Sequence, residues 1–169
     1  THGGVAKRMI NFATALVGHW RGGLALGGVL ACALFAAVSG SSPATVVAIG
    51  SILLPAMVRQ GYPVKFGVGV IGTSGGLGIL IPPSIVMVIY AVSTNASIGQ
   101  LFIAGIIPGL LLAALLMLVT WLVARKRGYP CLPKASLGTR LRALRESIWG
   151  LLLIVVVIGG IYSGVFTAT

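Results

Sequence analysis

Four long apolar stretches, Leu24 to Val58, Val64 to Val92, Leu101 to Ala124 and Ile148 to Phe166, hold a single charge between them, Lys65 at the start of the second. In hydrocarbon no water is present to satisfy a backbone amide or carbonyl, so such stretches must be helical. The last three each meet the roughly 20 residues needed to cross a core about 30 Å thick. Hydrophobic residues make up 57% of the chain and charged ones 8%, too few for the surface of a soluble domain. The solvent is largely lipid, and the fold class expected is an all-α polytopic membrane protein.

Twelve Lys and Arg against one acid, Glu146, would suggest nucleic-acid binding in a soluble protein. Their position decides against it. Lys7, Arg8 and Arg21, then Arg59 and Lys65, then Arg125 to Arg127, Lys134, Arg140, Arg142 and Arg145 fall between the apolar stretches or at their edges. That is the distribution of cytoplasmic loops in a multi-pass membrane protein. Cys32 and Cys131 lack partners at disulfide or metal-ligand spacing, and His2 and His19 have no neighbouring Cys, Asp or Glu. With no His, acid or paired Cys inside a spanning segment, no catalytic residue is assigned, and the chain is read as not an enzyme.

Residues 1–22 form an amphipathic arm: Val5, Met9, Phe12, Ala13, Leu16 and Trp20 recur every three or four positions, opposite Lys7, Arg8, Asn11, Thr14 and Arg21. It suits the plane of the membrane interface, the alternative being a helix of a soluble bundle. Residues 23–63 are too long for one crossing and are broken at Ser39-Gly40-Ser41-Ser42-Pro43. Each arm, Leu24 to Val38 and Ala44 to Val58, reaches only about 22 Å. A re-entrant hairpin is expected, with Gly40 closing the first arm in a left-handed conformation and Ser42-Pro43 capping the second. Irregular backbone at membrane depth is tolerated only where protein protects it or it lines a cavity, so the tip is a candidate functional site.

Residues 64–93 are long enough to cross but contain Gly72-Thr73-Ser74-Gly75-Gly76-Leu77-Gly78-Ile79-Leu80-Ile81-Pro82-Pro83-Ser84. Two half-helices are expected, one ending near Gly72 and one starting at Pro83. Glycine-mediated helix packing is the plainer alternative, and it explains neither the prolines nor the hydroxyls. Residues 100–125 form a further transmembrane helix that Pro108-Gly109 is expected to bend. Residues 126–147 form a basic loop and a surface amphipathic helix, and 148–167 form a last crossing. Every Lys and Arg then lies on one face. Two full crossings at 23–63 would give the same parity, so the short arms are what argue for re-entry.

A re-entrant hairpin followed by a broken crossing is how secondary transporters build a midplane site for ions and substrate. The stretches Ala37 to Val46 and Gly72 to Ser84 also resemble the two most recognisable motifs of the large permease subunit of tripartite (TRAP) transporters, the DctM-like permeases. Gly160-Ile161-Tyr162-Ser163-Gly164-Val165-Phe166-Thr167 resembles the opening of that family's second repeat. The resemblance covers essentially the whole chain. It implies an inverted-repeat, elevator-type importer of organic acid anions in the bacterial inner membrane, driven by Na+ and assembled with a small DctQ-like membrane subunit and a periplasmic substrate-binding protein.

Without an initiating Met or a signal peptide, and stopping just after an apolar run, the chain is read as an internal fragment holding the first repeat and the first helix of the second. Carried over by resemblance, one sodium site would lie between Ser39, Ser41 and Ser42 of the tip and main-chain oxygens around Gly78, Ile81 and Pro83. Thr73 and Ser74 are second choices, for ion or substrate. Oxygen-only ligation suits a hard cation. No Arg within a spanning segment is available to a substrate carboxylate. A channel module, or another sodium/anion symporter with the same hairpin, is the competing reading.

Overall fold

Two residues, Gly40 and Ser41, are all that separates the arms of the hairpin in a computed structural model that describes residues 2–163. The first arm, α2 (Gly23–Ser39), ends because Gly40 takes φ 61° and ψ 10°, where its amide still reaches the carbonyl of Ala36 at 2.8 Å. A left-handed residue after the last turn is the usual way to end a helix, and glycine adopts it without a Cβ penalty. The second arm, α3 (Ser42–Arg59), starts one residue earlier than expected: Ser41, extended at φ −134°, is the N-cap, and Ser42 is already helical with Pro43 in the first turn. At 17 and 18 residues the arms exceed the apolar runs that suggested them, and α3 is long and apolar enough to cross a membrane.

Helix α1 (His2–Val17) lies before the hairpin. Its buried stripe is Ala6, Met9, Ile10 and Ala13, whereas Val5, Leu16 and Trp20 are exposed. The inward face is thus rotated by about one residue from the sequence pattern, because α1 packs on α2 and on α8 rather than on a single surface. Helix α2 is the centre of the molecule. It is buried nearly all round, as an all-apolar helix should be, and touches α1, α3, α4, α5 and α7. Helix α3 buries only the stripe Thr45, Ile49, Leu53 and Met57, one residue per turn, and Gly28 of α2 lets the Leu53 side chain come close. Lipid tails are as apolar as leucine, so such close approach of small residues supplies the cohesion.

The broken crossing does not break where the glycines suggested. Helix α4 (Val64–Gly75) runs straight through Gly72, pauses at Gly76, and a further turn, α5 (Leu77–Leu80), carries on. The interruption is Ile81 to Ser84, and α6 (Ile85–Thr94) resumes after it. Glycine costs a helix about 1 kcal/mol, which packing offsets, while two consecutive prolines remove two amides and force the preceding residue out of the helical region. Ile81 accordingly sits at φ −80° and ψ 119°. The carbonyl end of the first half is therefore Leu80, not Gly72, and the second half begins at Ile85, not Pro83.

Helix α7 (Ile98–Arg127) returns as one 30-residue element through Pro108. Among the described residues three spans are long and apolar enough to cross a membrane: Ser42–Arg59, Val64–Thr94 and Ile98–Arg127. Helix α8 (Leu137–Tyr162) is continuous, so the expected surface helix and last crossing are not separate elements here; only Gly150 weakens the junction, and one glycine does not stop a helix. The end of that crossing, and Gly164 to Thr167 of the terminal motif, lie outside the described residues.

Both open ends of the hairpin meet the end of α7. The Gly22 amide donates to Pro130 O at 3.2 Å, the Leu132 amide to Gly18 O at 2.9 Å, and the Tyr62 hydroxyl to Pro130 O at 3.2 Å. Tyr62, Phe66 and Tyr129 stack together beside these bonds. Burial pushes the Tyr62 phenol up to about 12, so it remains a donor at any physiological pH. Arg21, Arg59, Lys65 and Arg125 to Arg127 are thereby gathered at one end of the bundle.

Candidate functional site

The hairpin tip and the break in the crossing touch. The Ile85 amide, the first of α6, donates to the carbonyl of Gly40 at 3.1 Å. A Cβ on Gly40 would stand 2.7 Å from Pro83 O, and one on Gly78 would stand 2.9 Å from both Ser41 C and Ser42 N. The contact is therefore backbone on backbone, which only side chains as small as these permit.

Within the tip the hydroxyls are organised. Thr45 Oγ1 donates to Ser41 O at 2.8 Å and lies 3.0 Å from Ser39 Oγ. The Ser39 hydroxyl accepts from the Ser41 amide at 3.3 Å and donates to Ser41 O at 3.3 Å. The Thr45 amide adds a third bond to the same oxygen at 3.1 Å. The Ser41 main-chain oxygen is thus committed to shaping the turn.

Of the residues singled out from sequence, Ser41, Ser42, Gly78 and Pro83 are brought together, with Ser39 just behind them. The side chain of Ile81 packs on α7 where Gly109 leaves room, 3.1 Å from a Cβ built there, while the group expected at the site is its main-chain oxygen. Thr73 is exposed, and its hydroxyl returns to Gly69 O at 2.8 Å along its own helix. Ser74 is wholly buried with no partner for its hydroxyl.

Three residues were missed by sequence reasoning. Thr45 was readable in principle, since a Thr four positions after an N-cap can bond back to that residue's carbonyl. Ser84, buried and with its hydroxyl unpartnered, is the N-cap of α6, and an X-Pro-Pro-Ser before an apolar run signals that role. Ile85 contributes only its amide, for which no side-chain signal exists. Buried hydroxyls without partners are uncommon and ask for an explanation. Ser74, in the helix before the break, and Ser84, the last residue of the break, are two such groups.

The helix ends give the site opposite polarities. Carbonyl ends of α2 and α5 favour a cation, and amide ends of α3 and α6 favour an anion. Among the described residues no group of three or more His, Cys, Asp or Glu stands together, so the ligand chemistry on offer is hydroxyl and main-chain oxygen.

Fold and site together define a polytopic membrane protein in which a helical hairpin is docked on a broken crossing. A family model described as the DctM component of the tripartite ATP-independent periplasmic transporter matches residues 1–169, and the chain belongs to that family. It is 68% identical over 183 aligned positions to the C4-dicarboxylate TRAP transporter large permease protein DctM of Rhodobacter capsulatus, covering 100% of this chain and 42% of the relative. The protein of the same name from Pseudomonas aeruginosa is 60% identical, with 100% and 40% covered. The sialic acid TRAP transporter large permease protein SiaM of Vibrio cholerae is 43% identical, with 98% and 39% covered. The chain spans about two fifths of the length of these relatives.

Proposed function

We propose that this chain is part of the large permease subunit of a sodium-coupled importer of organic acid anions, C4-dicarboxylates first among them. The single observation that carries the reading is the Ile85 amide on the Gly40 carbonyl, which docks one interrupted helix pair on another. The substrate class follows the names of the relatives from 54 to 68% identity, ahead of the ectoine and sialic acid permeases at 41 to 47%. A small membrane subunit and a periplasmic binding protein complete the assembly, and the basic end of the bundle faces the cytoplasm. Sodium is carried with the substrate. The Ser41 and Ser42 hydroxyls, main-chain oxygens around Gly78, Ile81 and Pro83, and the unpartnered Ser74 and Ser84 hydroxyls are the oxygens that fit it.

Coupling has a physical reason. An anion entering a negative-inside cell works against about 2.3 kcal/mol per charge per 100 mV, and a dianion against twice that. Two co-transported cations cancel the dianion's charge, and more than two make the potential assist. In this reading the hairpin is re-entrant and moves with its ion, elevator fashion.

The test is uptake by the full-length permease with its small subunit and binding protein in liposomes. Saturable uptake that needs an inward sodium gradient and the binding protein supports the reading. Ohmic conductance without the binding protein would identify a channel instead.

A further inference from the structure

We propose that the cleft between α1 and α8 is a binding site for an acidic phospholipid, its phosphodiester head held by Arg8, Arg142 and Arg145. On α8, Arg142, Arg145, Glu146 and Trp149 follow at intervals of three, one and three, so they share one face of the helix. Arg8 is brought opposite by α1, which is fixed there: the Ser147 hydroxyl donates to Arg8 O at 3.0 Å, and Gly150 leaves room for the end of Met9. Together these five side chains line a cleft of about 360 Å³.

Glu146 is the single acid in the chain, so at least two of the three guanidiniums have no carboxylate from this chain to neutralise them. Planar guanidinium forks match phosphate oxygens in geometry as well as charge. The cleft shares Arg142 and Glu146 with a larger cavity of about 740 Å³, whose walls include Leu24, Ile52 and Leu53. Charge and hydrocarbon walls side by side describe an amphiphile. Trp149, 74% exposed, heads the uncharged part of α8, where an interfacial tryptophan belongs. Basic pockets between helices at the cytoplasmic face are known to take lipid headgroups. A free phosphate would use the arginines but not the apolar cavity, and an acidic polypeptide would leave the position at the head of an apolar run without a reason.

The experiment uses the full-length permease with its small subunit, purified in mild detergent and offered phosphatidylglycerol, phosphatidylcholine or inorganic phosphate, with retained ligand read by native mass spectrometry. Phosphatidylglycerol should be retained over phosphatidylcholine, inorganic phosphate should not displace it, and each of Arg8→Gln, Arg142→Gln and Arg145→Gln should weaken retention by about fivefold. Equal retention of the two lipids, displacement by phosphate alone, a cleft closed to lipid by another polypeptide, or unchanged retention in the triple variant would each overturn the proposal. Should the triple variant not fold, the native complex decides. Brominated phosphatidylglycerol should quench its tryptophan emission more than brominated phosphatidylcholine, and Trp149→Phe should abolish the difference; equal quenching overturns the site.

Discussion

The carbonyl of Gly40 accepts the amide of Ile85 at 3.1 Å, joining the carbonyl end of one helix to the amide end of another 45 positions along the chain. Each of those groups would be an orphan in an isolated broken helix, and burying an unpaired backbone group costs about 1–3 kcal/mol. By meeting, the two interruptions satisfy each other and leave hydroxyls and carbonyls around the junction. That is how irregular backbone can persist at membrane depth.

The junction makes a sharp prediction about glycines. Gly40→Ala places a left-handed alanine, at about 1–2 kcal/mol, and drives its methyl into Pro83 O. Gly78→Ala meets the Ser41-Ser42 peptide. Gly72 is helical with open space around it, so Gly72→Ala should be tolerated or slightly stabilising, by up to about 1 kcal/mol. In proteoliposomes carrying the full-length assembly, uptake should fall by roughly tenfold or more for the first two and hold for the third. Equal tolerance of all three would mean that the junction is not maintained during transport.

Tip hydroxyls should separate into two kinds. Ser41→Ala and Ser42→Ala should raise the sodium concentration needed for half-maximal uptake while leaving the protein in the membrane. Thr45→Val keeps the shape but removes the bond to Ser41 O, and should lower the thermal stability of the complex by about 0.5–1.5 kcal/mol. Unchanged sodium activation in both serine variants would remove them from the ion site.

The hairpin was legible because helix-end chemistry is local: Ser-Gly-Ser-Ser-Pro states its own turn, to within one residue at the cap. The break in the crossing was legible in kind but displaced. Four glycines drew attention to Gly72, yet the steric veto belongs to Pro82 and Pro83, and a glycine in a packed helix costs too little to end it. What could not be read was pairing. Nothing in the sequence says that Ile85 donates to Gly40, that Ile81 turns to α7, or that Arg8 faces Arg142, because those depend on how helices already formed are laid against each other.

Tyr62 closes the basic end of the bundle. Its hydroxyl holds Pro130 O, which also accepts the Gly22 amide, and its ring lies against Phe66 and Tyr129. Tyr62→Phe keeps the stack and loses one hydrogen bond, so thermal stability should drop by about 0.5–1.5 kcal/mol. Tyr62→Ala also opens a cavity and should cost about 3–5 kcal/mol by analogy with other buried aromatics. Thermal unfolding of the purified complex distinguishes the two; equal losses would show that the hydroxyl, not the ring, fastens the loops.

Topology can be decided at two exposed positions. Gln60 caps α3 at the basic end, and Ala96 follows Asn95, whose φ of 54° closes α6 at the far end of the broken crossing. The path from Val64 to Thr94 is long enough to traverse the membrane once. Single cysteines at Gln60 and Ala96, in a background where Cys32, Cys131 and any others are replaced, should therefore react with a membrane-impermeant maleimide from opposite faces of oriented vesicles, Gln60 from the cytoplasmic one. A third cysteine at Pro43, beside the tip, tells the two hairpin topologies apart. If the hairpin is re-entrant, Pro43 should be shielded from the reagent on both sides, or react only when the site opens to water. Were α2 and α3 two full crossings instead, Pro43 would stand on the periplasmic face and react freely there. Labelling of Gln60 and Ala96 from one face would end the broken-crossing reading altogether.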